Sequence, residues 1–451
     1  MTPSAAPLPP LVSRSRPAVG HLLEFLRSPE RLLWRGNREH GLLFRLRVLG
    51  EQAVVVLGAE HNRWFFKETD RDLAIDSAYP FFADMFSQDF YYFGGPEEYE
   101  RQRDIILPKF RGGQLENYVT VMDDETQKWI ESLGDSGEFD LTSELGPLVM
   151  RIAARSFLGP NFATEVKDFF TDFRLFSGGM GYVPQWIPLP SLIRSRSAGK
   201  RLKTSLTAMI HRRRETPLDP PDFLQMLAES QYAEGVPVPD DVLVNLILLL
   251  TWAGHETTTG ALSWTLADLL GSPTDLARAR TEADAAVAAG RLTMASTRGM
   301  GFLEDCVYES ERMHPVAYIM ARRAATDIEL DGYRIPEGTY VFTSPWVTHR
   351  LADDYPEPDT YRPARYSDPN GKALRQRLIG FGGGIHRCLG VHFAKLEMQI
   401  ILARMLAAFD LELVNGPPEP VSSGTSTKWP ESPCVVRYRV RSSVREELPV
   451  I

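Results

Sequence analysis

Apolar and polar positions along this chain change period several times, and each change marks a change of element. Leu43-Phe44-Arg45-Leu46-Arg47-Val48 and Ala53-Val54-Val55-Val56-Leu57 are strand-type runs joined through Gly50-Glu51, which predicts a β-hairpin. From about residue 97 to 290 helical patterns dominate. The strongest runs from Asp240 or Asp241, either of which can cap it, to about Leu270, with Gly271 and Pro273 as stop signals. At ~1.5 Å per residue such a helix is roughly 45 Å long, and a helix this apolar belongs in a core. After Pro315 strand-like segments return at Ile328 to Tyr333, Thr339 to Thr343 and Pro433 to Arg441. Residues 1–20 read as a proline-rich arm, mobile or laid on the surface. No repeat, low-complexity tract or linker divides residues 21–451, so the pattern predicts a single, mainly α domain with small peripheral β-sheets.

Composition narrows the function classes. The 451 residues are 43% hydrophobic and 24% charged, as in an ordinary soluble globular protein. Length alone suggests about three domains, a soft prior that the missing linkers override. A net charge of −9 argues against general nucleic-acid binding, which needs a basic surface. With three cysteines a disulfide framework is implausible, and a reducing compartment is expected. The longest apolar stretch, Val242 to Gly254, is interrupted by Asn245 and is too short for a bilayer core of ~30 Å. Pro7, Pro9, Pro10, Arg14 and Arg16 leave no apolar signal core at the N-terminus. A cytoplasmic protein without a transmembrane anchor is expected.

Chemistry concentrates in Phe381-Gly382-Gly383-Gly384-Ile385-His386-Arg387-Cys388-Leu389-Gly390. An aromatic, a glycine-rich turn and one cysteine opening an apolar helix suit a thiolate ligand beneath a flat macrocycle. Glycines allow close backbone approach, and a helix N-terminus stabilises a thiolate. The bland alternative is a small buried hydrophobe. Zinc is disfavoured because it needs clustered ligands, and only Cys306, Cys388 and Cys434 exist. A second feature lies mid-helix: Ala253-Gly254-His255-Glu256-Thr257-Thr258. Gly254 weakens the hydrogen-bond ladder and Thr257 competes for the Ala253 carbonyl, so a local opening is expected there. Glu256 and Thr257 then offer an acid and an alcohol; alternatively, Thr257 merely satisfies backbone and Glu256 pairs with a surface cation.

Together these segments resemble the cytochrome P450 superfamily. Phe381, Gly384, His386, Cys388 and Gly390 match all fixed positions of its cysteine loop, F-x-x-G-x-[HR]-x-C-x-G. Further matches are Glu309-Ser310-Glu311-Arg312, the family's E-x-x-R, and Pro358 to Tyr366, its P-x-x-[FY]-x-P-x-R-[FYW]. The likeness covers nearly the whole chain, from about Pro17 to Arg441. It implies the cytochrome P450 fold, with the long central helix over a haem b whose iron is held by Cys388. A thiolate ligand favours O–O cleavage, with Thr257 and Glu256 handling protons and Ala253 and Gly254 shaping the oxygen site. It also implies a structural network of Glu309, Arg312 and Arg365. Arg103, Arg322 and His386 would clamp the haem propionates, although Tyr99 stands where the family usually has Trp.

Ala78-Tyr79-Pro80-Phe81, Pro188 to Ser191, Ser344 to Arg350 and Pro433 to Tyr438 look closest to the sterol 14α-demethylase branch. Two departures matter. That branch carries A-G-x-H-T where this chain has Glu256, and Phe90 to Gly94 differs from its F-G-x-x-V. The resemblance therefore implies a relative that hydroxylates another lipophilic molecule, steroid-like or terpenoid, using O₂. Electrons would come from a ferredoxin and its reductase, and a monomer is expected. Sterol 14α-demethylation, a peroxide-driven enzyme and a non-catalytic haem or lipid sensor are the alternatives. Substrate-pocket candidates are Tyr79, Phe81, Phe82, Phe86, Val316 and Ile319, within aromatic clusters that core packing also explains.

Overall fold

The computed structural model describes residues 6–441 except 49, 80–85, 87–89, 91–94, 161, 163–168, 179–188 and 424–426. It is mainly α-helical with small sheets, as the sequence predicts. Contacts gather into two compact units, each assembled from three stretches of chain. The first comprises Met1–Pro80, Arg312–Thr360 and Asp368–Cys388; the second comprises Phe81–Glu311, Tyr361–Ser367 and Leu389–Ile451.

The first unit contains the hairpin: β1 (Leu43–Val48) and β2 (Glu51–Val56) pair antiparallel, Leu43 opposite Val56. With β3 (Leu73–Ala74), and two later strands at Met320–Ala324 and Tyr340–Thr343, they make a five-stranded sheet. Alternate strand residues face opposite ways. Phe44, Leu46 and Val55 join Leu32, Leu33, Tyr318 and Trp346 on one face. Leu43, Val54 and Val56 join Phe65, Phe66, Leu73 and Ile379 on the other. Two helices cover these faces, α1 (Pro29–His40) and α2 (Gly58–Lys67). Helix α1 reaches the sheet only because residue 36 is glycine: a Cβ there would sit 2.2 Å from the Phe44 ring. Residues 6–20 belong to this unit and run along β1. The Arg45 N–H donates to the Pro10 carbonyl at 2.9 Å, and the Val12 N–H to the Arg45 carbonyl at 3.1 Å.

Helices of the second unit are α3 (Gly95–Ile106), α4 (Gln114–Leu133), α5 (Leu141–Leu158), α6 (Phe169–Ser177), α7 (Pro190–Glu215), α8 (Asp240–Leu270) and α9 (Pro273–Val287). They are followed by α10 (Gly301–Met313), whose last two residues fall in the first unit, and α11 (Val391–Ala408). Helix α8 is the predicted long helix, 31 residues, packed chiefly on α5. Its start differs in detail from expectation. Pro239 occupies the cap position, no side chain caps the helix, and Asp240 is its first residue. The Asp240 carboxylate is engaged instead by His211 Nε2 at 2.6 Å and Arg214 at 2.7 Å. Among the described residues no helix is long and apolar enough to cross a membrane.

Candidate active site

The cysteine loop lies in the first unit. Gly382 and Gly384 have φ of +72° and +63°, the left-handed region that glycine adopts without strain. A Cβ at Gly383 would lie 2.6 Å from the Phe66 ring, and one at Gly384 2.7 Å from the Phe66 carbonyl oxygen. Both glycines are needed for the loop to lie against the end of α2. The Cys388 N–H closes the loop onto the Phe381 carbonyl at 2.9 Å. Gly390 is the cap residue of α11, so Cys388 stands just ahead of that helix's N-terminus.

The three cysteines differ sharply. Cys306 and Cys434 are buried, while Cys388 is exposed. Burial pushes the Cys434 thiol up to about 11 and raises that of Cys306 further. Burial therefore disfavours the thiolate, the metal-ligating form, at both. Cys388 alone of the three is exposed.

The expected carboxylate clamps have distinct surroundings. Arg103, on α3, is part-exposed; the Asp104 carboxylate lies 3.9 Å away, and the Arg103 Nε is buried with no hydrogen-bond partner among the described residues. A guanidinium in that state fits an anion. Arg322 is buried, donating from Nε to the Thr69 hydroxyl at 3.1 Å and from an Nη to the Ala321 carbonyl at 2.7 Å. His386 departs from the simplest clamp: its Nε2 meets the Asp70 carboxylate at 2.5 Å. Neither Thr69 nor Asp70 carries a local signal that marks it in the sequence.

In the second unit, α8 is buried along nearly all its length except for one window. Residues Val242 to Leu248 and Thr258 to Gly260 are buried, whereas 252–256 are half-exposed and Thr257 is exposed. A Cβ built at Gly254 meets nothing within 4 Å. This is open space in mid-core, on the residues predicted to form the oxygen site. The expected break in the helix is not present: α8 is continuous, and the Thr257 hydroxyl donates to the Ala253 carbonyl at 2.5 Å. Thr251, Thr259 and Thr265 make the same bond to the residue four before, so it is a general habit of this helix. What distinguishes Thr257 is its exposure.

Burial raises the Glu256 carboxyl above the usual range, and no described side chain forms an ion pair with it. A carboxyl whose protonated form is favoured by burial therefore stands beside the alcohol. His255 faces the other way: burial pushes it down to about 4, leaving it neutral, and it hydrogen-bonds the Gly146 backbone on α5.

The structural signature is well defined. Arg365 and Glu309 are both fully buried, with Arg365 Nε 2.9 Å from a Glu309 oxygen that also accepts from the Arg362 N–H at 2.9 Å. Within the first unit, Arg312 donates to the carbonyls of His349, Pro358 and Thr360 at 3.1, 2.6 and 3.1 Å. The pocket candidates fare unevenly. Phe81 and Phe82 lie outside the described residues. Phe86 is buried, its ring 4.1 Å from that of Phe90 and 6.3 Å edge-on to Phe176. Val316 is buried, and Ile319 belongs to the sheet core with Phe44 and Trp346. Tyr79 accepts from the Ala321 N–H at 3.0 Å through its hydroxyl. Phe86 and Ile319 are thus packed against core side chains, a setting that a pocket wall shares.

Comparison with known proteins adds an independent line. A family model described as "Cytochrome P450" matches residues 9–436. A sterol 14alpha-demethylase of Mycolicibacterium vanbaalenii is 30% identical over 445 residues, covering 96% of this chain and 98% of that protein. A lanosterol 14-alpha demethylase of Bos taurus is 27% identical over 449 residues, covering 98% and 89%. Among solved structures, one titled "Retinoic acid bound cyanobacterial CYP120A1" superposes with a TM-score of 0.86 at 27% identity, covering 97% of this chain and 100% of that one.

Proposed function

The chain belongs to the cytochrome P450 family and is a haem-thiolate monooxygenase, and we propose that it hydroxylates a hydrophobic, steroid-like or terpenoid molecule, with Cys388 as the iron ligand. The observation that carries the ligand assignment is the contrast among the cysteines: Cys388 alone is exposed, while the other two are enclosed where burial disfavours the thiolate. Haem held by a thiolate supplies the oxygen-activating chemistry when bound. Arg103, Arg322 and His386 would meet its two carboxylates, the unpartnered Nε of Arg103 being the clearest open donor. Burial raises the Glu256 carboxyl and so favours its holding a proton next to Thr257. The Thr257 hydroxyl, released from the Ala253 carbonyl, can accept that proton from one side and pass its own to the open side of α8. The window at Gly254 and Thr257 leaves room for dioxygen and ordered water.

Electrons are proposed to arrive from a separate ferredoxin and its reductase. The named relatives are sterol demethylases, and the solved neighbour is retinoic acid bound; sterols and retinoic acid are both mostly apolar isoprenoids. Glu256 argues for hydroxylation over 14α-demethylation, because the demethylase-like pattern has His before the threonine. The test is a ferrous–CO difference spectrum, followed by titration of the ferric protein with sterols, terpenoids and retinoids. A strongly red-shifted Soret band that disappears in Cys388→Ser is expected, with a low- to high-spin shift for one ligand class. A band at the position of histidine-ligated haems, or one that survives Cys388→Ser, overturns the ligand assignment.

A further inference from the structure

The turn after α2 gathers Arg322 and His386, the two first-unit clamp candidates of the haem site. The Thr69 hydroxyl accepts from Arg322 Nε at 3.1 Å while donating to the Phe65 carbonyl at 2.9 Å. Asp70, the next residue, holds His386 Nε2 at 2.5 Å although the two lie 316 residues apart. Both members of this pair are largely enclosed, with 4% of the His386 side chain and 15% of the Asp70 side chain exposed. Asp70 has a φ of +66°, a left-handed conformation that aspartate tolerates better than most residues. The turn is fixed independently: the Asp70 N–H donates to the Leu73 carbonyl at 2.8 Å, and Leu73 N–H to the Glu68 carbonyl at 3.0 Å. Directly beside it, the Phe66 ring and carbonyl occupy the space that only Gly383 and Gly384 leave open. Backbone packing thus seats the cysteine loop on the end of α2, and Asp70 supplies the polar contact that fixes the ring of His386.

We infer that Asp70 is a positioning residue for the haem: its carboxylate accepts the Nε2–H of His386, fixing the orientation of a ring two residues from Cys388 and placing a negative charge behind the cysteine loop. This rests on the reading of Cys388 as the ligand and His386 as a carboxylate clamp. Partners of this outer kind orient the groups that touch a cofactor, and their loss weakens its binding by about 10- to 100-fold. A fixed negative charge near the iron favours its oxidised form, and so lowers the reduction potential.

The test uses two variants that keep the left-handed turn. Asp70→Gly removes the carboxylate without backbone strain, and Asp70→Asn keeps an acceptor oxygen while removing the charge. Haem transfer from the ferric protein to apomyoglobin should be about ten-fold faster for Asp70→Gly. Asp70→Asn should hold its haem nearly as well as the unchanged protein, but with a midpoint potential shifted positive. In a His386→Phe background, Asp70→Gly should accelerate transfer no further, because the residue acts through the ring. Unchanged transfer in Asp70→Gly, an unshifted potential in Asp70→Asn, or full additivity with His386→Phe would overturn the inference. The ferrous–CO spectrum separates the two levels. A red-shifted band with silent Asp70 variants refutes the positioning role alone, whereas the absence of that band from the unchanged protein refutes the ligand reading beneath it.

Discussion

At the scale of single residues, the chemistry turns on two neighbours in α8 that face different problems. Thr257 is exposed in a helix otherwise made to be buried, and its hydroxyl is parked on the Ala253 carbonyl. Replacing it with alanine removes the alcohol and little else. Product formation in Thr257→Ala should fall on the order of a hundred-fold, while reductant consumption persists and hydrogen peroxide accumulates. Unchanged coupling between reductant and product would remove Thr257 from proton delivery. Glu256 offers a separate test, since its folded carboxyl binds its proton more tightly than the unfolded one. The site's contribution to stability is therefore full below the ordinary glutamate range and is lost as pH rises through the raised folded value. Glu256→Gln has no such titration. Its stability relative to the unchanged protein should improve as pH rises from the ordinary glutamate range through the raised folded value, as read by denaturant midpoints. A difference that does not change with pH would mean that the carboxyl is ionised in the folded protein.

At the scale of elements, the E-x-x-R helix α10 carries a charge that its surroundings cannot leave unpaired. Arg365 is fully enclosed and is bonded through Nε to Glu309, which also ties down the Arg362 amide. Glu309→Ala leaves a buried guanidinium, a loss of about 3–5 kcal/mol, visible as a lower urea midpoint. A loss below about 1 kcal/mol, the level of an exposed pair, would mean that water reaches Arg365. These elements also show what the chain declares in advance. Helix α8 was legible because its apolar run, acidic start and Gly271 stop are local, and so was the β1–β2 hairpin with its period of two. The cap was not, because Pro239 and Asp240 divide the role according to a distant contact with His211 and Arg214. Periodicity cannot tell pocket wall from core, and the burial of Phe86 and Ile319 suits either. The cysteine loop could be read from its own spacing, whereas Asp70 acquires meaning only when folding brings it 2.5 Å from His386.

At the scale of the whole molecule, neither compact unit is a continuous piece of chain, and residues 6–20 are built into the first of them. Strand β1 is an edge of the five-stranded sheet, and an open edge invites pairing with another chain. Here the proline-rich arm occupies that edge. Its Pro10 carbonyl and Val12 amide exchange hydrogen bonds with Arg45, Arg45 Nε donates to the Pro9 carbonyl at 2.8 Å, and Gly20 bridges to Val48. Prolines suit this position because they lack an N–H and so cannot extend the ladder outward. Val12, 1% exposed, also fills the sheet core beside Leu32, Leu33 and Phe44. Deleting residues 2–20 should therefore do two separable things. Removing the buried valine costs about 1.5–3 kcal/mol, read as a lower melting temperature at any protein concentration. Uncovering the β1 edge adds a tendency to self-associate, read as a concentration-dependent shift in size-exclusion elution that Val12→Ala in the full chain does not produce. If the deletion only matches Val12→Ala in both measurements, the arm is a hydrophobic plug; if it also self-associates, the arm is an edge cover, which its register of hydrogen bonds along β1 favours.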